Sequence, residues 1–311
     1  MASKTFTLNT GAKIPAVGLG TWQSAPGQVQ TAVTHALKSG YRLVDCAYCY
    51  GNEDEVGAGL AAAFAEGAAR REDVFVVSKV WATYNSRVEE GLDKSLKSLG
   101  LDYVDLYLVH WPALANPEGN HDKFPTKEDG TRDMITSWNH VDTWKQMEAL
   151  VEKGKVKAIG VCNYSKKYLD ELLPQAKITP AVNQIENHPW LPQQEVLDAC
   201  AAAGVHVMAY SPLGSTGSPL AEVPVIVELA KKKGVTPAAI LLSLHVAKGR
   251  TVLAKSVTPA RITANLESVV DLGADDLAEL DAYSRGVVDR KEWKRFVYPP
   301  FGVSFGFPDK P

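Results

Sequence analysis

Four ionisable side chains of different types stand at or just beyond the ends of three consecutive apolar stretches. Asp45, Lys79 and His110 each end one of these stretches, and Tyr50 follows Asp45 by five residues. If the stretches are neighbouring parallel strands, their ends meet at one edge, which is where ligands bind in α/β folds. We therefore treat these four residues as a candidate active site.

This combination of residues suits proton transfer to a carbonyl oxygen. A free tyrosine has a pKa near ~10, and an ammonium beside it lowers that pKa, so Lys79 is expected to make Tyr50 a usable acid. Asp45 would keep the ammonium charged and in place, and His110 could donate a second hydrogen bond to the carbonyl oxygen. No nucleophile with an attendant base stands out, so we expect a cofactor to supply the electrons.

The elements that must position these residues alternate regularly along the chain. Eight units of a short apolar strand followed by a helix are counted, with strands predicted at 17–22, 43–45, 74–79, 104–110, 158–161, 181–186, 205–210 and 251–254. Eight such units favour a closed (β/α)8 TIM barrel over an open doubly wound sheet. Gly18 and Gly20 form a G-x-G, but the third glycine of a dinucleotide-binding fingerprint is absent, which argues against the open sheet.

The segments outside these units are predicted to cover the two ends of the barrel. Residues 5–15 alternate around a turn and predict an N-terminal β-hairpin, while the long loops 112–140 and 211–223 both follow strand ends. A further helix at 275–284 precedes an irregular aromatic tail at 299–311. We expect a single domain, residues 1–311, whose long loops and C-terminal tail lie over the active-site mouth.

The composition is that of an ordinary globular protein. Charged residues make up 22% of the chain and the net charge is −3, which offers no general attraction to nucleic acid or to an anionic membrane. No apolar run approaches the ~20 residues of a membrane span, and the first residues lack the apolar core of a signal peptide. We expect a soluble, cytoplasmic monomer.

The four cysteines leave one alternative open. Cys46, Cys162 and Cys200 lie in or beside apolar elements, which is typical of reduced, buried thiols. Cys46 and Cys49 also form a C-x-x-C, the spacing of a redox or metal-binding pair. No neighbouring cysteine or histidine completes a zinc set, so no metal is expected.

Seven stretches resemble the aldo-keto reductase superfamily across nearly the whole chain. They are residues 18–22 (GLGTW), 45–53 (DCAYCYGNE), 106–112 (LYLVHWP), 159–163 (IGVCN), 183–186 (NQIE), 209–214 (AYSPLG) and 255–261 (KSVTPAR). The resemblance implies a (β/α)8 barrel that reduces aldehydes or ketones reversibly with NADPH. It makes Tyr50 the general acid, Lys79 the residue that lowers its pKa, Asp45 the partner of Lys79, and His110 the residue that orients the carbonyl.

The same resemblance assigns the nicotinamide end of the cofactor site. Tyr210 would stack on the nicotinamide ring, while Asn163 and Gln184 would hydrogen-bond its carboxamide. Cys162 stands where the family usually has a serine, and because a thiol is a weak donor and acceptor it weakens one polar contact there. The further cofactor-binding residues are predicted to be Gly20, Thr21, Trp22, Asp45, Ser211, Leu213 and Val257.

Residues 255–261 indicate an anion site even without the resemblance. Thr258 is a good N-cap and Pro259 suits the first helical position, so a helix N-terminus would offer free N–H groups to an anion. Lys255, Ser256 and Arg261 surround that end with donors. The resemblance assigns this clamp, together with Val257 and Thr258, to the 2′-phosphate of NADPH, with Asn265 near the adenine. We therefore predict NADPH/NADP+ rather than NADH.

The substrate pocket is predicted to be aromatic. Trp22, Trp81 and Trp111 each follow a strand end, beside Tyr50 and His110, and would form an apolar wall around a small-molecule carbonyl substrate. The tail residues Tyr298, Phe301 and Phe305 would close this wall. The motif variants are most similar to fungal members that act on small aldoses, glyceraldehyde, glycerol or uronic acids, and aromatic aldehydes also remain candidate substrates.

Two other classes of function remain open from the sequence. The barrel could be a cofactor-sensing binding module that turns over little substrate. Alternatively, Lys79 could form a Schiff base, as in barrel aldolases. NADPH oxidation in proportion to aldehyde would favour the reductase, and borohydride trapping of substrate on the protein would favour the aldolase.

Overall fold

The computed structural model describes residues 4–310, and its centre is a closed barrel of eight parallel strands. The barrel strands are β3 (Val17–Gly20), β4 (Leu43–Asp45), β5 (Phe75–Val80), β6 (Val104–Val109), β7 (Val156–Cys162), β8 (Val182–Glu186), β9 (His206–Tyr210) and β10 (Thr251–Lys255). They pair in chain order, and β10 closes the barrel by pairing with both β9 and β3. The predicted (β/α)8 fold is confirmed.

Helices surround the barrel and connect successive strands. They are α1 (Val29–Lys38), α2 (Glu53–Ala65), α3 (Val88–Leu99), α4 (His140–Glu152), α5 (Lys166–Leu172), α6 (Gln194–Ala202), α7 (Pro224–Lys233), α8 (Pro237–Ala247), α9 (Pro259–Glu267) and α10 (Ala274–Asp289). Within residues 4–310 no helix is both long enough and apolar enough to cross a membrane.

The core has two layers, because the barrel strands are covered on both faces. Alternate residues such as Leu43, Val77 and Leu106 point into the barrel, while their neighbours pack against the helices. Gly160 in β7 allows close approach inside this core, since a Cβ there would lie 2.7 Å from both Leu108 Cδ2 and the Val182 carbonyl oxygen.

The N-terminal hairpin is present as predicted and packs on the barrel. Its strands are β1 (Thr5–Thr7) and β2 (Lys13–Pro15), which pair antiparallel. Leu8 and Ile14 are buried and join the cluster of side chains inside the barrel. The hairpin therefore covers one end of the barrel and shields the inner core from water at that end.

Several element boundaries differ from the sequence prediction, among them those of β3, α9 and α10. Strand β3 ends at Gly20 rather than Trp22, and α9 ends at Glu267 rather than Asp271. Helix α10 runs to Asp289, five residues beyond the predicted end, although Gly286 is a poor helix former. Val287 is buried on this last turn, and its packing offsets the glycine.

Candidate active site

A cavity of about 740 Å³ opens at the carboxyl ends of the barrel strands. Asp45, Tyr50 and His110 line it, and most of the other predicted site residues do so as well: Gly20, Thr21, Trp22, Trp81, Trp111, Cys162, Asn163, Gln184, Tyr210, Ser211, Leu213, Lys255, Ser256, Val257 and Arg261. Lys79, Thr258 and Asn265 are not part of the lining. One continuous site therefore joins the candidate catalytic residues to the predicted phosphate clamp.

Lys79 lies directly behind the cavity surface and connects the other charged and polar groups. Its side chain is fully buried, and its ammonium donates to both carboxylate oxygens of Asp45 at 2.8 Å. It also donates to the Cys46 carbonyl at 2.9 Å and to the Tyr50 hydroxyl oxygen at 3.1 Å. Because these acceptors surround it, Lys79 is joined to the cavity through Tyr50 and Asp45, which both line it.

The local sequence explains how Tyr50 reaches this position. Strand β4 ends at Asp45, and a single 3-10 turn over Tyr48–Tyr50 follows it. Gly51 then takes a left-handed conformation with φ of 70°, which a side chain would disfavour, and α2 begins at Glu53. The strand, the turn and the glycine together direct the Tyr50 ring back over the barrel end.

The pKa of Tyr50 differs from the sequence-based expectation. Burial raises the pKa of Tyr50 well above its ordinary value, and the Asp45 carboxylate raises it further. Asp45 lies 2.8 Å from the Lys79 ammonium and offsets the charge that was expected to lower this pKa, so the effect of Lys79 on Tyr50 stays a prediction. Tyr50 therefore stays protonated at neutral pH, with its oxygen already accepting one hydrogen bond from Lys79.

His110 is neutral in this setting. Burial lowers the pKa of His110 well below its ordinary value, and the nearby Lys79 charge acts in the same direction. Its ring contacts the edge of Tyr50, with centroids 5.7 Å apart. A neutral imidazole beside the Tyr50 hydroxyl can place one N–H toward a carbonyl oxygen.

Aromatic rings form the wall around these groups. Trp81 meets the His110 ring at 5.1 Å, and Trp22 meets the Tyr50 ring at 6.3 Å. Trp111 packs against Phe305 of the C-terminal tail at 4.8 Å. The predicted aromatic wall is therefore present, with Trp81 and Trp111 almost fully buried and Trp22 36% exposed.

The side chains predicted to hold a carboxamide form a connected set. Gln184 donates to Asp45 Oδ1 at 2.8 Å, and Asn163 donates to the His110 carbonyl at 3.0 Å and accepts from the Tyr210 hydroxyl at 2.7 Å. The Cys162 thiol contacts the Asn163 amide at 3.1 Å and Gln184 Oε1 at 3.9 Å. These contacts link the strand ends around the cavity wall, including those that carry Asp45 and His110.

The far end of the cavity fits an anion. Helix α9 begins with Thr258 and Pro259 as predicted, but the Thr258 hydroxyl does not cap it and instead accepts from Arg261 Nη2 at 2.7 Å. The first-turn N–H groups therefore have no side-chain cap, with Lys255 and Ser256 beside them on the cavity wall. An uncapped helix N-terminus next to two cationic side chains is a setting that binds phosphate.

Several lining residues were not identified from the sequence. They are Gln23, Phe124 in the loop after β6, and Phe296, Val297 and Pro299 before and within the tail. These residues lie in irregular segments, where no periodicity indicates which side chain faces inward. The aromatic content of 112–140 and of the C-terminal segment was the available signal for Phe124 and Phe296.

The two cysteines of the C-x-x-C lie in different surroundings. The buried Cys46 thiol donates to the Val77 carbonyl at 3.1 Å, whereas Cys49 lines the cavity. Burial raises the pKa of Cys49 to about 12 and keeps it a thiol. All four cysteines are free, so the pair does not form a disulfide.

This chain belongs to the aldo/keto reductase family, which residues 16–285 match. It is 66% identical to a D-galacturonate reductase of Hypocrea jecorina over the full length of both proteins, and 47% identical to a glycerol 2-dehydrogenase (NADP(+)) of Saccharomyces cerevisiae over 97% of each. Its structure is similar to that of the aldose reductase of Schistosoma japonicum, with a TM-score of 0.85, 39% identity, and coverage of 90% of this chain and 91% of that one.

Family membership defines the general chemistry. The chain is an oxidoreductase that acts on carbonyl groups of small molecules, and the family implies a nicotinamide cofactor. The cavity fits such a cofactor, since its lining includes the amides of Asn163 and Gln184, which contact His110 and Asp45, together with the cationic side chains of Lys255 and Arg261.

Proposed function

We propose that this protein is an NADPH-dependent aldehyde reductase whose preferred substrates are uronates such as D-galacturonate, with Tyr50 as the general acid. The observation that carries the proposal is the contact of 3.1 Å between Lys79 Nζ and the Tyr50 hydroxyl oxygen, made at the base of the cavity. Because Lys79 already donates to this oxygen, the hydroxyl hydrogen of Tyr50 is left to donate to a substrate.

Each member of the group has a defined task in this proposal. A bound reduced nicotinamide supplies the hydride. Tyr50 and His110 hold the aldehyde oxygen with two hydrogen bonds and so position the carbonyl carbon. As negative charge develops on that oxygen, Tyr50 transfers its proton, and the fixed Lys79 ammonium stabilises the phenolate that remains. Asp45 keeps Lys79 charged and oriented throughout.

Uronates are proposed because of the closeness of one relative. The D-galacturonate reductase of Hypocrea jecorina shares 66% of its residues with this chain over the full length of both. Glyceraldehyde, small aldoses and aromatic aldehydes are the weaker candidates. The absence of general basic charge makes a monomer acting on a small molecule, without nucleic acid or membrane, the simplest form of the proposal.

A substrate panel tests the proposed activity directly. With NADPH and D-galacturonate, D-galactose, glyceraldehyde or an aromatic aldehyde, we expect the highest kcat/KM for D-galacturonate and one NADPH oxidised per alcohol formed. Absorbance of NADPH gives kcat/KM, and chromatography of the product gives the number of alcohol molecules formed per NADPH oxidised. Equal values for D-galactose and D-galacturonate would contradict the uronate preference, and no NADPH oxidation with any aldehyde would overturn the reductase.

Cofactor choice is expected to depend on the anion end of the cavity. In Lys255→Met/Arg261→Ala the preference for NADPH over NADH should fall by roughly a hundredfold, since two charge-assisted contacts to the 2′-phosphate are lost. The measurement is the ratio of kcat/KM values for the two cofactors at fixed aldehyde. Lys231→Met, an exposed lysine on α7, is the control and should leave the ratio unchanged. An unchanged ratio in the double variant would refute the clamp.

A further inference from the structure

The C-terminal segment that lines the cavity has little regular structure to hold it. Phe296, Val297, Tyr298 and Pro299 all face the cavity, yet residues 292–300 form neither helix nor strand. Such a segment has no ladder of backbone hydrogen bonds, so its position depends on individual contacts. Two of them are the bond from the Lys294 N–H to the Trp190 carbonyl and the buried ion pair of Arg295 with Asp309, and others are made by the barrel.

Glu186 supplies the shortest of these contacts. It is the last residue of β8, is fully buried, and its two carboxylate oxygens accept from the backbone N–H groups of Phe296 at 2.7 Å and Val297 at 2.8 Å. The third partner of the carboxylate is His188, at 2.9 Å. Hydrogen bonds to an ionised carboxylate are stronger than neutral ones, and both bonds to the segment are made away from water.

The position of Glu186 in the strand links this anchor to the cofactor side of the cavity. Glu186 follows Gln184 by two residues, so the two side chains project from the same face of β8. In the next strand it pairs in register with Tyr210. Phe296 in turn packs against the loop after β9, where a Cβ at Gly214 would lie 3.2 Å from its Cε2.

We propose that Glu186 is a positioning residue that sets the distance between the substrate wall formed by residues 296–299 and the cofactor side of the cavity. The anchoring of this segment by Glu186 is inferred from the contacts alone. The effect of Glu186 on turnover is inferred only if the proposed function holds. Because Tyr50, His110 and residues 296–299 line the same cavity, we expect a substrate with several carbons beyond its carbonyl to make more contacts with this wall than a three-carbon aldehyde held between Tyr50 and His110.

The chain contains a control site outside the cavity. Glu148 on α4 is also buried, and its Oε1 accepts from two successive backbone N–H groups, those of Lys177 at 2.7 Å and Ile178 at 2.9 Å. It does not line the cavity. Because a glutamine would keep this single acceptor oxygen, the control substitution is Glu148→Ala, which removes an anchor from an irregular segment elsewhere and separates a general loss of stability from a specific effect on the site.

Hydrogen exchange and kinetics of the full-length protein test the proposal. In Glu186→Gln we expect the Phe296 and Val297 amides to exchange roughly tenfold to a hundredfold faster, because the amide cannot accept both N–H groups. We also expect KM for D-galacturonate to rise roughly tenfold, with kcat and the values for glyceraldehyde changed by less than about threefold. In Glu148→Ala faster exchange should appear at residues 177–178, with KM unchanged.

The outcomes separate this proposal from the proposed function. Unchanged exchange at Phe296 and Val297, or an equal rise in KM in both variants, would overturn the role of Glu186. If the unaltered protein reduces glyceraldehyde but not D-galacturonate, the uronate proposal fails instead. Two measurements then decide the role of Glu186. They are hydrogen exchange at the Phe296 and Val297 amides and KM for straight-chain aldehydes of increasing length.

Discussion

Tyr50→Phe should lower kcat for aldehyde reduction by about a thousandfold while NADPH affinity changes by less than about threefold. The variant removes only the hydroxyl that Lys79 contacts at 3.1 Å, and a positioned acid contributes roughly a hundredfold to ten-thousandfold. The aromatic ring, which packs beside Trp22 and His110, is retained. Steady-state kinetics give kcat, and fluorescence titration of the protein with NADPH gives the affinity. A variant with more than about a tenth of the original kcat would mean that another group is the acid.

The pH dependence of kcat for aldehyde reduction follows from the raised pKa of Tyr50 and the lowered pKa of His110. Because the pKa of Tyr50 is raised, its proton is lost only well above neutral pH, and because the pKa of His110 is lowered, its ring is protonated only at acid pH. The kcat for reduction should therefore vary less than about twofold between about pH 6 and pH 8. A kcat that falls steeply as pH rises through this range would show that Tyr50 titrates there.

Lys79→Met should affect both stability and activity. The substitution leaves the buried Asp45 carboxylate without its ammonium, with the Gln184 amide as its remaining side-chain donor, and removing one partner of a buried pair costs about 3–5 kcal/mol of unfolding free energy. The kcat should fall by about a hundredfold to a thousandfold, since the phenolate left by proton transfer is no longer stabilised. Urea denaturation gives the first quantity and steady-state kinetics the second.

The double variant Asp45→Asn/Lys79→Met separates these two effects. It removes both charges, so we expect it to regain most of the lost unfolding free energy, because no unpaired buried charge remains. Its kcat should stay as low as that of Lys79→Met. Lys166→Met, which breaks an exposed ion pair with Asp170, should cost less than about 1 kcal/mol and leave kcat unchanged. Recovery of kcat in the double variant would show that Lys79 supports only the fold.

The regular elements were predictable because their sequence patterns are local. Continuous apolar strands such as Phe75–Val80 and Val104–Val109 are buried on both faces, and capped helices separate them, so the alternation that specifies a barrel is visible along the chain. The same alternation brought Asp45, Lys79 and His110 together, since the ends of neighbouring parallel strands meet at one mouth. The resemblance then assigned them roles, which remain proposals.

The irregular segments were less predictable. Phe124 and Phe296 line the cavity from segments that show no hydrophobic periodicity. In such segments the local sequence does not indicate which side chains point into the cavity. Thr258 was placed correctly at the start of α9, but its hydroxyl accepts from Arg261 instead of capping the helix, because a long cationic side chain competes for it. A sequence pattern indicates a cap position, but it does not show which neighbouring group will form a hydrogen bond with the hydroxyl.

The sequence by itself determined the barrel, the residue types at the strand ends and the start of α9 at Thr258 and Pro259, because each depends on neighbours within a few positions. The tertiary structure alone decided how far the pKa of Tyr50 departs from that of a free tyrosine, and the anchoring of the tail by Glu186. A pKa depends on burial and on charges from several strands, and Glu186 lies 110 positions from the Phe296 N–H that it accepts. Contacts between segments so far apart along the chain exist only once the barrel has closed.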